Sequence, residues 1–277
     1  MIDIGLIEQL RTAQHVVVFT GAGMSADSGI PTFRDRATGL WANTDPQEVA
    51  TPWAFRANPQ RVWDWHVHLA DAVRQARPNA GHRAIAALQE TVERLTVITQ
   101  NIDNLHQVAG VRDVIELHGN LLRLKAFVDE EEMFSGDKSP LICRICNGYA
   151  LNDELDSYAS RADLEDIELT AGSVPRCPGC GALLRPDIVW FGEPLDHQSL
   201  GDAHFAADHC DVLLCVGSSL EVEPAASIPW RALNAGAAVI EINPQPTLLS
   251  SRAQGCIVGK AADVVPELFR LVFNMTL

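Results

Sequence analysis

The chain has 277 residues, 47% of them hydrophobic and 21% charged, enough to bury a sizeable core in one large domain or two unequal ones. Thirty-six acids against twenty-one Lys and Arg give a net charge of −15, which argues against direct binding of nucleic-acid phosphates through counterion release and suits either a cationic partner or solubility alone. The start MIDIGLIEQLRTAQH carries acids at Asp3 and Glu8 and lacks the basic start and uncharged apolar stretch of a signal peptide, and no run approaches a membrane span; a cytoplasmic protein without membrane contact is expected.

The first apolar, β-branched run is HVVVFT (15–20), and Gly21-Ala22-Gly23-Met24-Ser25-Ala26 follows it. That hexapeptide fits the G-x-G-x-x-G/A phosphate loop, in which glycines permit a tight turn and let backbone N–H groups approach a pyrophosphate. Small residues in a strand-to-helix turn also serve packing alone. In a hydride-transferring dehydrogenase the helix continues into a second strand ending in an acid. Here Ser28-Gly29-Ile30-Pro31 breaks the helix at once, and Asp45 and Glu48 follow no strand. A dinucleotide held in a different way is expected.

Residues 38–82 show helix starts at Thr51-Pro52 and Asn58-Pro59, each a capping residue followed by proline at the first helical position. The second helix carries one apolar stripe of Val62, Trp65, Leu69 and Val73 and an adjacent one of Trp63, Val67 and Ala70, so more than half its circumference is apolar. A helical pattern at HRAIAALQE leads to the strand RLTVIT (94–99), which runs into Gln100, Asn101, Asp103, Asn104 and His106. DVIEL (113–117) precedes His118. Further strands are expected at DIVWF (187–191), DVLLCV (211–216) and AAVIEI (237–242), and a last helix at VVPELFRLVF. Short buried strands alternating with helices define an α/β fold with a Rossmann-like, doubly wound parallel sheet.

Seven cysteines, an odd number, argue against a disulfide framework in this setting. Cys143-x-x-Cys146 and Cys177-x-x-Cys180 supply four thiolates in two pairs, the donor set of a tetrahedral structural Zn²⁺. A redox role is the rival reading, without the thioredoxin-like context it needs. Cys210, Cys215 and Cys256 read as small buried hydrophobes. Residues 38–82 and 121–183 are therefore expected to form a smaller helical and zinc-binding module inserted into a large domain of 1–37, 83–120 and 184–277. The acidic stretch Lys125–Ile142 reads as a solvated loop or a docking surface for a basic partner.

The ordered set GAGMSADSGIPTFRD, TQNIDNLH, LHGN, two C-x-x-C pairs, RPDIVWFGE, GSSLEVEPAA and INPQPT resembles the sirtuins, the NAD-dependent protein lysine deacylases, over residues 16 to about 265. The resemblance implies a Rossmann-like domain and a small zinc module, with NAD and an acyl-lysine protein or peptide in a cleft between them, and one structural zinc per chain. It assigns Gly21, Ala22, Gly23, Asp27, Phe33 and Arg34 to the pyrophosphate and nicotinamide ribose. Gln100, Asn101, Ile102 and Asp103 would hold the ribose and carboxamide, with Asn101 and Asp103 also catalytic. Gly217, Ser218, Ser219, Asn243 and Ala261 match contacts to the adenosine half.

By the same resemblance His118 is the general base, since an imidazole accepts a proton near neutrality. The acyl oxygen displaces nicotinamide, a ribose hydroxyl activated by His118 attacks the resulting imidate, and the products are nicotinamide, free lysine and O-acyl-ADP-ribose. Val189, Trp190, Phe191, Gly192 and Glu193 on one side and Leu220, Glu221 and Val222 on the other resemble the edges between which substrate peptide adds as a strand. Some bacterial sirtuins recognise acidic acyl groups through Tyr-x-x-Arg; the aligned positions here are His66 and Leu69, and leucine cannot pair with a carboxylate. Neutral acyl groups are expected. ADP-ribosyl transfer or NAD hydrolysis at the same site, and a non-catalytic NAD-binding scaffold, are the competing readings.

Overall fold

The structure, a computed structural model, describes residues 4–32, 44–127, 141–142, 149–150, 168–179 and 181–274. Its strands are β1 (His15–Thr20), β2 (Arg94–Thr99), β3 (Val114–Glu116), β4 (Gly119–Ala126), β5 (Leu141–Ile142), β6 (Tyr149–Ala150), β7 (Leu184–Ile188), β8 (Val212–Val216), β9 (Ala238–Asn243) and β10 (Gly255–Val258). Six of them form one sheet in the order β10-β9-β8-β1-β2-β3, parallel throughout. The chain winds outward from β1 through β2 to β3, then returns beside β1 and winds the other way through β8, β9 and β10. The order reverses between β1 and β8, and in such sheets that reversal opens a crevice beyond the carboxyl ends of the strands.

Every residue of β1 and of β8 is buried, as expected for central strands covered on both faces. On one face Val16, Val18, Leu214 and Ile240 meet Leu6 and Leu10 of the helix Ile4–Thr12, Ile85 and Leu88 of the helix Ala80–Leu88, and Val265 and Phe269 of the helix Ala261–Phe273. The alternate residues Val17, Phe19, Leu213 and Val239 are equally buried and face the opposite side, where the helix Ile228–Ala235 packs on β8 and β9 and against the helix His197–Asp208. Burying side chains of this size stabilises by about 1.5–3 kcal/mol each.

The chain divides into two units, one of Met1–Asn43, Gln75–Gly119 and Pro194–Leu277 and a smaller one of Thr44–Arg74 and Asn120–Glu193. Among the described residues this differs from the expected limits at 75–82, at Asn120 and at 184–193. Residues 75–82 join the larger unit because Asn79 caps the helix Ala80–Leu88 and its Nδ2 donates to the Met24 carbonyl at 2.8 Å. Residues 184–193 join the smaller one because β7 pairs with β4.

In the smaller unit the helices Pro52–Ala57 and Pro59–Gln75 begin at the expected prolines. The Thr51 hydroxyl accepts the Ala54 N–H at 3.0 Å, and Asn58 Oδ1 accepts that of Arg61 at 3.1 Å. The long helix buries Val62, Trp63, His66, Val67, Leu69, Ala70 and Val73, with Trp65 only half-buried. The Trp63 indole donates to the Thr170 carbonyl at 3.0 Å.

The strand expected at 187–191 lies instead at Leu184–Ile188. Residues 190–193 form a turn, closed by the Glu193 N–H on the Trp190 carbonyl at 3.1 Å and by Gly192 at φ 88, a left-handed conformation that glycine adopts without strain. Lys125 and Ala126, expected in a loop, complete β4. Leu141–Ile142 pairs antiparallel with Tyr149–Ala150, and 128–140 lie outside the described residues. Cys210 and Cys215 are buried as expected, whereas Cys256 is exposed on the outermost strand of the sheet.

Candidate active site

The loops that leave β1 and β8 meet at the switch point. The Gly21 N–H donates to the Val216 carbonyl at 3.1 Å and the Gly23 N–H to the Gly217 carbonyl at 2.9 Å. A Cβ on Gly21 would stand 2.8 Å from the Ser218 Cα, and one on Gly23 would stand 2.9 Å from the Gly217 Cα. Gly217 has φ +62, and a Cβ there would come within 2.5 Å of the Met24 nitrogen. These glycines therefore let two loop backbones touch, and the N–H groups of Gly21 and Gly23 are spent on that contact. Past them the chain makes two short turns, Ala22–Met24 and Ala26–Ser28, and stops at Gly29 with φ 87. The helix of a dehydrogenase fingerprint is absent, as the sequence indicates.

Beyond β2 the polar run folds into the same corner. Gln100 Nε2 donates to the Ser218 hydroxyl at 2.8 Å, and the Asn243 amide to the Ser218 carbonyl at 2.8 Å. Asn101 is buried; its Nδ2 donates to the Gly21 carbonyl at 3.1 Å and to the Ser25 hydroxyl at 3.2 Å. Asp103, also buried, accepts the Ser25 hydroxyl at 2.6 Å and the Leu105 N–H at 2.9 Å. Burial pushes the Asp103 carboxyl above its ordinary range, and its hydrogen bonds from Ser25 and Leu105 only partly offset that.

His118 lies half-buried at the end of the segment after β3, with Nδ1 2.9 Å from the Gln100 carbonyl. A carbonyl oxygen has no proton to give, so Nδ1 carries the hydrogen and Nε2 keeps its lone pair. Burial lowers the His118 pKa, with the Gln100 hydrogen bond opposing. The neutral, proton-accepting form therefore dominates at neutral pH.

The expected residues Gly21, Ala22, Gly23, Gln100, Asn101, Asp103, His118, Gly217, Ser218 and Asn243 thus gather at the carboxyl ends of β1, β2, β8 and β9 and after β3. Ile102 is half-buried and Ser219 exposed. Asp27 sits to one side in an ion pair with Lys260 at 2.8 Å, next to the buried Ala261 that opens the final helix. Phe33, Arg34, Cys143, Cys146 and Cys180 lie outside the described residues. Leu220 is buried with φ 55, while Glu221 and Val222 are exposed.

Ser25, Thr20 and His82 escape the sequence reading, and His106 enters it only as part of the polar run. Ser25 is buried and links Asn101 to Asp103. Below it lie two buried histidines, His82 with Nε2 3.5 Å from the Ser25 hydroxyl and His106 with Nε2 3.1 Å from Thr20. Thr20 Oγ1 donates to Thr99 Oγ1 at 2.8 Å. Their one signal in the sequence is polarity where a buried strand ends or a glycine loop turns.

In the smaller unit Val189 is half-buried, Trp190 buried, Phe191 and Gly192 exposed and Glu193 half-buried. His66 is fully buried, with Nδ1 2.8 Å from the Val62 carbonyl and Nε2 accepting the Trp190 indole N–H at 3.3 Å. Burial lowers its pKa to about 4, so the ring is neutral. Leu69 is buried beside it on the same helix face.

Around Cys177 the backbone forms a tight turn. The Gly181 N–H donates to the Cys177 carbonyl at 2.9 Å and the Cys177 N–H to the Ala182 carbonyl at 2.8 Å, with Gly181 at φ +73. Among the described residues no cluster of three or more metal-binding side chains occurs, and no helix is long and apolar enough to cross a membrane.

Comparison with known proteins gives a consistent answer. Residues 21–224 match the family described as the Sir2 family. The chain is 43% identical over 268 residues to the NAD-dependent protein deacylase 1 of Pseudomonas aeruginosa, covering 97% of this chain and 98% of that protein. A mutant Sir2 homologue in complex with 2'-O-acetyl ADP ribose superposes with a TM-score of 0.78 at 37% identity, covering 99% and 97% of the two chains. Sir2Af2 bound to a myristoylated histone peptide gives 0.68 at 34% identity, covering 98% and 95%. The glycine contact at the switch point, the polar run after β2 and the oriented His118 occur in a chain that belongs to the Sir2 family.

Proposed function

We propose that this protein is an NAD-dependent protein lysine deacylase that transfers the acyl group of an acyl-lysine to ADP-ribose and releases nicotinamide. The observation that carries the reading is His118, whose Nδ1–H is fixed on the Gln100 carbonyl and whose Nε2 is left as a neutral acceptor. That is the state a general base needs to take a proton from a ribose hydroxyl. A dinucleotide held at the switch point would lie over the touching Gly21–Ser25 and Gly217–Ser218 loops, not between them. Asn101 and Asp103, tied together through Ser25, present fixed polar groups to the nicotinamide ribose, and Asn243 and Ala261 flank the adenosine end. A binding scaffold has no use for a histidine oriented in this way.

The acyl preference follows from His66 and Leu69. With Nδ1–H given to Val62 and Nε2 accepting from Trp190, the neutral ring has no donor for an acyl carboxylate, and Leu69 offers none. If these two positions border the acyl group, as the family resemblance implies, neutral acyl groups, acetyl or longer apolar chains, are favoured, since an unpaired buried charge is costly. Product analysis by mass spectrometry with matched peptides tests both parts. O-acyl-ADP-ribose forms from acetyl-lysine and long-chain acyl-lysine peptides and at least tenfold more slowly from succinyl-lysine; equal rates would overturn the pocket reading, and ADP-ribose without an acyl adduct the deacylase reading.

A structural zinc held by Cys143, Cys146, Cys177 and Cys180 belongs to the same proposal. The turn closed by Gly181 on Cys177 supports the reading, and Cys180, outside the described residues, follows Cys177 at C-x-x-C spacing in the sequence. The metal would fix the fold of the smaller unit and supply no chemistry to the reaction.

A further inference from the structure

We propose that Arg185 is a positioning residue for the segment Val189–Phe191, acting through Trp190 and Glu193 to hold the edge on which a substrate peptide lies. The inference rests on the reading that this segment seats the acyl-lysine peptide.

Arginine is among the side chains least often buried without a partner, yet Arg185 is 2% exposed. Its guanidinium meets the Glu193 carboxylate through both terminal nitrogens, Nη2 at 2.8 Å, the planar two-point geometry that Lys cannot reproduce. The same Nη2 donates to the Ile188 carbonyl at 2.6 Å, the last residue of β7. The guanidinium carbon stands 3.4 Å from the centroid of the Trp190 ring, a cation–π contact. One side chain thus touches the last residue of β7 and both ends of the 190–193 turn.

Trp190 is held in two further ways. Its backbone N–H donates to Glu193 Oε2 at 2.8 Å and its indole N–H to His66 Nε2 at 3.3 Å. Burial alone would raise the Glu193 carboxyl, but the Arg185 hydrogen bonds and charge more than offset that and hold it below the ordinary range. The next residue donates its N–H to the Ala50 carbonyl at 2.9 Å. With Trp190 2% exposed and Phe191 46% exposed, neighbouring side chains alternate inward and outward, as along a strand. The inward one is the anchor, and Phe191 stands outward at the surface. Such anchoring costs an entering peptide less ordering of the site.

The test is steady-state kinetics of Arg185→Lys and Glu193→Gln on the full chain, with Val189→Pro as the control for the peptide-edge reading. The clamp predicts a KM for acyl peptide raised about tenfold in Arg185→Lys and by a smaller factor in Glu193→Gln, with the KM for NAD and the melting shift induced by ADP-ribose unchanged. Peptide KM unchanged in both variants while Val189→Pro raises it would overturn the clamp alone. Val189→Pro with unchanged peptide KM would overturn the peptide edge and the clamp with it. A parallel rise of both KM values would reduce Arg185 to a general structural role and also overturn the proposal. If Arg185→Lys does not fold, Glu193→Gln decides by the same readouts.

Discussion

His118 owes its role to one hydrogen bond. Because Nδ1 is tied to a backbone carbonyl, the tautomer is set by the fold and survives substitution of neighbouring side chains. Its pKa is lowered by burial, so the acid limb of kcat/KM lies below pH 6.5, and activity is retained as pH falls from 8 to 6.5. A limb at pH 7 or above would assign the base elsewhere. Gly217 is the matching case for backbone: with φ +62 and no room for a Cβ, Gly217→Ala either separates the two loops or strains them. Loss of the melting shift induced by ADP-ribose, together with a lower melting temperature by several degrees, is the expected outcome; an alanine variant with an unchanged shift would show that the loops need not touch.

The elements were legible where their pattern has one physical meaning. The β-branched run HVVVFT, too short for a helix and followed by a glycine turn, favours an inner strand, and a capping Thr51 or Asn58 followed by proline and an apolar helical stripe favours a helix start. The polar run Gln100–Asp103 stands out because a buried strand ends in side chains that need partners. Ser25, His82 and Arg185 were not legible, because each depends on a partner brought close by folding, Asp103, Ser25 and Glu193 respectively. The strand displaced to Leu184–Ile188 failed for a similar reason, since Trp190 is apolar enough for a strand but is held in a turn by Arg185 and Glu193. Cys256 lies in β10, an edge strand that the apolar run of its neighbours does not reveal.

The helices Pro59–Gln75 and Ala80–Leu88 each bury a histidine, His66 and His82, whose pKa burial lowers to about 4. Between pH 6.5 and 4 the unfolded chain takes up protons that the folded chain does not, so stability is full above pH 6.5 and lost as pH falls. At pH 5 each histidine costs about 2 kcal/mol relative to neutrality. Thermal denaturation from pH 7.5 to 5 should show a falling melting temperature, with a shallower fall in His66→Gln. A slope unchanged in that variant would mean that His66 is not buried neutral in solution.

At the scale of the whole molecule, a six-stranded sheet whose order reverses between β1 and β8 supplies the crevice, and a smaller unit carries the Trp190 segment and one described zinc-pair cysteine, Cys177. The sequence conveys this division through composition and the paired cysteines, and misses its limits because β7 belongs by pairing to β4 and by position in the chain to the larger domain. If zinc organises the smaller unit, Cys177→Ala lowers zinc content and soluble yield together; a soluble, zinc-replete variant would refute the four-thiolate assignment. The central claim is tested most directly by nicotinamide release from NAD and O-acetyl-ADP-ribose formation by wild type and His118→Ala, with peptides carrying unmodified or acetyl-lysine. The account predicts nicotinamide release that requires the acyl group, and steady-state formation of O-acetyl-ADP-ribose that falls by about 10²–10⁴-fold in the variant, because His118 acts after nicotinamide has left. Release indifferent to the peptide's acyl group would contradict it and assign the site to NAD hydrolysis or ADP-ribosyl transfer.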